Sequence, residues 1–239
     1  MIPKNATAVL DKGFVRLVES MGGDQGVVDA ARVSYGGVSR GAEADKKLIS
    51  YLLAHSHLTP FEHAVFKFHV NAPIFVARQW FRHRFAAYNE ISYRYTQAKD
   101  EYYIPQNWRA QDRKNRQGSV EAPALDHVAL TEKFSEQIRR ASALYEEMIA
   151  AGVAREMARM ILPVNLYTQF YWTVNARSLM NFVSLRADAH AQWEIRQYAM
   201  ALAGIFREKM PWTYEAFLRH GWKGENPEMA AQAREVQEA

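Results

Sequence analysis

Apolar residues recur along this chain in two rhythms. Phe66, Phe68 and Val70 alternate with Lys67 and His69, and Tyr167 to Val174 alternates with a high share of aromatic and β-branched side chains. A period of two predicts strands half buried in a sheet. Val9 and Leu10 precede Asp11-Lys12-Gly13, and Phe14, Val15, Leu17 and Val18 follow it, which predicts a strand pair over residues 7–18. Elsewhere the spacing is three and four. Asp24 is placed to cap a helix through Val27, Val28, Ala31 and Val33, and Leu48, Ile49, Leu52 and Leu53 share one face of a helix from Ala42 to His55. Asn71-Ala72-Pro73 ends the central strand, and Pro73 suits the first turn of a helix from Ile74 to Arg82. Leu130, Phe134, Ile138, Ala141, Tyr145 and Met148 stripe a helix from Leu125 to Ala151 that Gly152 closes, and a short helix from Ala154 to Leu162 stops at Pro163. Asn175 is placed to cap a helix from Ala176 to Leu185, and Asp188 one from Ala189 to Lys209.

The remaining segments read as connections. Ser34 to Gly41 holds three glycines, and the chain from His83 onward leaves its helix as a loop. Residues 105–124 are polar and irregular, a mobile surface loop, and residues 223–239 form a polar, frayed C-terminal tail. Several helices with a few mostly antiparallel strands predict an α+β fold, a single domain over residues 1–222 with a small sheet packed by helices.

Composition narrows the chemistry. The 239 residues suffice for an ample core, and a net charge of +4 permits an anionic ligand without demanding a nucleic-acid polymer. There is no cysteine, which excludes disulfides, thiolate metal sites, Fe–S clusters and a cysteine nucleophile. No apolar run reaches 18 residues and the first residues lack the apolar core of a secretion signal, so the expectation is a cytoplasmic protein with no membrane partner.

Charge is concentrated where it matters. From Arg78 to Arg94 four arginines and His83 are interleaved with aromatics, an arrangement that repels itself unless an anion sits among the charges. The guanidinium fork is the side chain best matched to phosphate oxygens, so a phosphorylated ligand is expected. Arg177 and Asn181 stack four apart on the helix after Asn175, while Asn175 and Arg186 lie about 16 Å apart along an unbroken helix, too far for one small ligand. On spacing alone Asn175 is equally well a cap and Arg186 a surface charge. His55-Ser56-His57 favours packing or capping over a metal, since no carboxylate-rich motif accompanies it. Trp80, Phe81 and Phe85 read as core or as stacking surfaces. Neither a dinucleotide-binding glycine signature nor a P-loop occurs. A module holding single-stranded RNA by stacking and phosphate contact, and a purely structural protein, stand as alternatives.

Arg82-His83-Arg84, seven residues and then Ser92 resemble the signature of flavin-dependent thymidylate synthases. The flanks Gln79-Trp80-Phe81, Asn89-Glu90 and Arg94-Tyr95 agree. So do Ala31 to Ser34, Thr59 to His63, Asn165 to Thr168, Asn175 to Asn181 and Arg186 to Glu194. The resemblance runs from about Leu17 to Phe217; Ala87 and Tyr93 stand where the family commonly has serine and glycine.

The resemblance implies a homotetrameric enzyme with active sites shared between subunits and no nucleic-acid partner. The implied reaction is reductive methylation of dUMP to dTMP, with methylenetetrahydrofolate as carbon donor and NADPH as reductant through FAD. FAD is then expected at Ser34, Thr59, Arg82, His83, Arg84, Glu90, Asn175, Arg177 and Asn181. The substrate dUMP is expected at Gln79, Arg82, Glu90, Ile91, Ser92, Arg94, Arg159 and Arg186, with Arg94 and Arg159 on the phosphate. Arg186 is the implied activator of the pyrimidine, His57 faces folate and flavin, and no metal is expected.

Overall fold

The structure, a computed structural model, describes residues 2–116 and 118–238. Met1, Gln117 and Ala239 lie outside the described residues, so the expected loop and tail are seen without Gln117 and Ala239. Strands β1 (Ala6–Val9) and β2 (Gly13–Met21) form the expected hairpin, followed by helix α1 (Gly23–Arg32) and helix α2 (Ala42–Ala54). Strand β3 (Val65–Pro73) leads into α3 (Ile74–Trp80), then β4 (Ala87–Glu90), β5 (Arg109–Gln111) and β6 (Ser119–Glu121). After α4 (His127–Ala150) and α5 (Arg155–Ala158), strand β7 (Tyr167–Asn175) passes directly into α6 (Ala176–Arg186). Helices α7 (Trp193–Lys209), α8 (Pro211–Ala216) and α9 (Pro227–Glu238) complete the chain. The main sheet has the order β1-β2-β3-β7-β4, and each pairing in it is antiparallel, so the α+β expectation holds.

Register explains the alternation. Phe66 faces Val174, Phe68 faces Trp172 and Val70 faces Phe170 across β3 and β7, so six apolar side chains line one face of the sheet and are buried. Helices α3, α6 and α7 supply Trp80, Phe182 and Tyr198 to the same core. The opposite face carries Lys67, His69, Tyr171 and Gln169; His69 stacks on Tyr171 at 4.9 Å and bonds Gln169 and Arg16.

Several expected elements differ. Strand β3 continues through Pro73, which sits before α3 rather than in its first turn, because Pro73 still pairs with Tyr167. Helix α3 stops at Trp80, two residues short of Arg82. The Trp80 ring is fixed in the core, and the Tyr88 hydroxyl donates to the Trp80 and His83 carbonyls at 3.3 and 2.7 Å, closing the helix end. The expected loop after His83 contains β4, which adds to the edge of β7 with Tyr88 turned inward against Phe81 and Trp172. Part of the expected 105–124 loop is the two-stranded ribbon β5–β6. It is anchored by Trp108, whose backbone N–H donates to His127 Nδ1 and whose indole donates to Thr131.

Two expected caps act elsewhere. Gly22, not Asp24, precedes α1; the Asp24 carboxylate accepts from Trp212 N, Thr213 N and Thr213 Oγ1 and thereby caps α8. Asp188 accepts from the N–H groups of His190 and Glu225, and α7 begins only at Trp193. The expected frayed tail is largely helix: Asn226 donates to the Ala187 carbonyl and caps α9, and Met229 and Ala233, four apart, are buried in the core. Their spacing of four was the signal, masked by the polar residues around them, Glu225, Asn226, Glu228, Gln232, Arg234 and Glu235.

Candidate active site

The Arg78–Arg94 segment is split by the fold into two ends. At the first, α3 and α6 finish side by side. Arg186, at the last turn of α6, donates from Nε to His83 Nε2 at 3.0 Å and from Nη2 to the Gln79 carbonyl at 3.2 Å. His83 leans on Phe182 with ring centroids 4.7 Å apart. Burial, and then the Arg186 charge, push His83 down to about 4, so at neutral pH it is an uncharged acceptor for Arg186. Burial and the neighbouring Arg82 charge push Arg186 below its ordinary value, yet a guanidinium stays protonated in proteins. Arg186 is therefore half-buried, aimed by two bonds and not a plain surface charge.

At the second end, past β4, the Glu90 carboxylate accepts from Thr168 Oγ1 at 2.7 Å and Ile91 N donates to the Gln169 carbonyl. Ser92 receives only long contacts from Arg94, N at 3.4 Å and Nε at 3.5 Å, and the Arg94 guanidinium lies over the Tyr95 ring. A third group gathers at the start of α6. Asn175 caps the helix by accepting from Ser178 N at 2.8 Å, and Arg177 pairs with Glu62, whose short helical turn begins at Thr59. Asn181 follows one turn later, exposed. Since α6 is unbroken, Asn175 and Arg186 do lie on the order of 16 Å apart along its axis.

His57 lies exposed after α2, with its ring 6.0 Å from Tyr51. Ser34, in the exposed turn Val33–Tyr35, and Arg159, in the turn after α5, make no side-chain hydrogen bond or ion pair to the three groups among the described residues. Among those residues no carboxylate lies within 4.0 Å of Arg78, Arg82, Arg84, Arg94 or Arg159, as is true also of scattered arginines such as Arg40 and Arg155; what sets Arg78 to Arg94 apart is four such groups in one short segment. The surface around the segment is thus a set of uncompensated guanidinium groups, suited to phosphate. A cavity of about 1110 Å³ between β1, the β5–β6 ribbon and α7 is lined by none of the expected ligand residues.

Sequence reasoning missed the side chains that hold these groups. Thr168 supports Glu90, Tyr88 supports His83, and Gln192 accepts from the Gln79 amide at 2.5 Å. Their signal was faint: each is an ordinary residue, and the partners of Thr168 and Gln192 are 78 and 113 residues away in the chain.

The low value of His83 makes a pH prediction. Between about 6.5 and about 4 the unfolded chain binds a proton at His83 that the folded chain does not, so stability should fall as pH falls through that window. His69 and His220 are lowered as well and share the slope. Comparing thermal midpoints of ligand-free His83→Gln and parent from about pH 7 to about pH 4.5 isolates the His83 part. The variant should show the shallower decline, and parallel curves would contradict the assignment.

Comparison with known proteins agrees with the geometry. Residues 16–212 match the family model described as thymidylate synthase complementing protein. The flavin-dependent thymidylate synthase of Thermosipho africanus is 56% identical, over 91% of this chain and 96% of its own length. That of Thermus thermophilus is 53% identical over 90% of this chain and 79% of its own. A crystal structure of the UMP/dUMP methylase PolB from Streptomyces cacaoi, bound with 5-Br dUMP, superposes with a TM-score of 0.81 at 33% identity, over 90% of this chain and 98% of that one. A backbone that places the Arg82–Ser92 signature beside Arg186, and this degree of likeness along nearly the whole chain, lead to one conclusion: the chain belongs to the flavin-dependent thymidylate synthase family.

Proposed function

We propose that this enzyme methylates dUMP reductively to dTMP, taking carbon from methylenetetrahydrofolate and electrons from NADPH through FAD, and releasing tetrahydrofolate. The observation that carries the reading is the density of guanidinium groups from Arg78 to Arg94, which, like Arg159, have no carboxylate within 4.0 Å among the described residues. Two phosphorylated ligands, a nucleotide and a flavin dinucleotide, would neutralise them.

In this reading Gln79, Ile91, Ser92, Arg94 and Arg159 hold dUMP, with Arg94 and Arg159 on its phosphate. FAD rests on Ser34, Thr59, Arg82, His83 and Arg84 and on Asn175, Arg177 and Asn181 of α6; Arg82 and Glu90 touch both ligands, and His57 faces folate and flavin. When bound, FAD supplies the hydride that reduces the transferred methylene. Uracil C5 is a poor nucleophile, and with no cysteine in the chain a thiolate cannot add at C6. Arg186 instead stabilises the negative charge that develops on the ring. His83 and the Gln79 backbone carbonyl occupy Nε and one hydrogen of Nη2 of Arg186, and Nη1 has no protein partner among the described residues. Ser34 and Arg159 make no side-chain hydrogen bond or ion pair to the Arg186 group among the described residues, in keeping with a homotetramer whose subunits complete each other's sites.

Ser92 holds the nucleotide and is not a nucleophile, because among the described residues its side chain meets only the donor Arg94 and no base. Ser92→Ala should therefore keep measurable turnover; abolished dTMP formation with dUMP binding intact would rule this out. The whole reading is tested by incubating purified, FAD-reconstituted protein with dUMP, methylenetetrahydrofolate and NADPH. Yellow protein, NADPH oxidation and dTMP are expected. Colourless protein that takes up no FAD and instead binds RNA with strong salt dependence would replace the reading with an RNA-binding one.

A further inference from the structure

Glu194 is buried, with 3% of its surface exposed, in the first turn of α7. Its carboxylate gathers donors from three separate segments. Arg109, on the β5 strand, forks onto both oxygens at 2.8 Å, the Tyr103 hydroxyl donates to Oε1 at 3.1 Å, and the Gln192 amide nitrogen donates to Oε2 at 3.0 Å. Burial, and then the Glu194 charge, raise Tyr103 above its ordinary value, so it remains a donor. An ionised carboxylate accepts and never donates, so Gln192 must turn its nitrogen toward Glu194. Its oxygen then faces the other way and accepts from Gln79 Nε2 at 2.5 Å. One hydrogen of the Gln79 amide nitrogen is thereby committed, and the side-chain oxygen Oε1 of Gln79 is left with no protein partner among the described residues; the Gln79 carbonyl that accepts from Arg186 is the backbone one.

We propose that Glu194, acting through Gln192, is a positioning residue that sets the polarity of the Gln79 amide, so that the site offers the nucleotide a carbonyl oxygen. The inference rests on the proposed contact between Gln79 and dUMP. It goes further in naming what the side-chain oxygen of Gln79 meets: a hydrogen-bond donor of the nucleotide, a ribose hydroxyl or a ring N–H. It also gives the β5–β6 ribbon a task, since Arg109 balances the charge that imposes the polarity.

The test is a double-mutant cycle on FAD-loaded enzyme, with KM for dUMP and kcat read separately. Gln192→Leu leaves the Glu194–Arg109 pair in place, and Glu194→Gln lets the relay turn either way. Each should raise KM about tenfold, the worth of one well-placed hydrogen bond, with kcat within about threefold. In a Gln79→Ala background each should change KM less than about twofold, because the group acted upon is gone. The exchange Gln192→Glu with Glu194→Gln keeps an acceptor facing Gln79 and should return KM to within about threefold of the parent. Full penalties persisting in the Gln79→Ala background, or unchanged KM in Gln192→Leu, would overturn the proposal. The parent is assayed first: if it neither binds nor methylates dUMP, the function reading itself fails, whereas a working parent with additive variants defeats the positioning role alone.

Discussion

Replacing Arg186 with lysine is expected to lower kcat/KM for dTMP formation by about 10²- to 10³-fold, the usual cost of losing an oriented donor to developing charge. The expectation follows from how the guanidinium is already used. Nε serves His83 and one hydrogen of Nη2 serves the Gln79 backbone carbonyl, so the guanidinium is held in orientation by the protein before any ligand arrives. An ammonium is a single point on a flexible stem and cannot make both bonds while also presenting a planar pair of donors. His83, uncharged near neutrality, would lose the donor that holds its Nε2 and gain freedom to rotate. Steady-state kinetics with FAD and dUMP affinities measured alongside will separate the loss of chemistry from loss of binding. Activity within about threefold of the parent would remove Arg186 from the reaction.

Trp80→Ala is expected to destabilise the fold by about 3–5 kcal/mol, read from chemical denaturation. Trp80 is fully buried and sits edge-on to Phe170 at 5.3 Å and Trp172 at 5.2 Å, with Phe182 at 4.7 Å and Tyr198 at 5.8 Å. These rings come from β7, α6 and α7, so truncation leaves a cavity at the junction of three elements. The position also lies between Gln79 and Arg82. The same void should loosen the end of α3, and activity should fall at temperatures where the variant remains folded. A loss below about 1 kcal/mol would mean that the neighbours collapse freely onto the space.

The strongly periodic parts of this fold are legible in the chain. β3, β7, α2, α4 and α6 stand within a residue or two of their expected bounds, because each is an apolar stripe closed by a recognisable stop. What was illegible depends on partners far away in sequence. Ala87-Tyr88-Asn89-Glu90 has little strand character of its own and becomes β4 because β7 offers an open edge. The tail becomes α9 because the core has room for Met229 and Ala233. The site divides in the same way. The charged residues announce themselves by density and motif, whereas Gln192, Glu194 and Tyr88 are ordinary residues whose importance lies in which donor or acceptor they face.

The cap on α8 carries a consequence for the order of folding. Its acceptor, Asp24, is synthesised early, while the N–H donors of Trp212 and Thr213 arrive 188 and 189 residues later. Until α8 docks, Asp24 lacks these donors, and in the folded chain burial raises its proton affinity against the hydrogen bonds from Thr213 and Trp212. Closing so long a loop is entropically slow relative to the local β1–β2 hairpin. The α8 and α9 layer should thus be the last to lock, and a nascent chain lacking it would expose the Phe206 side of the core to chaperones or to aggregation.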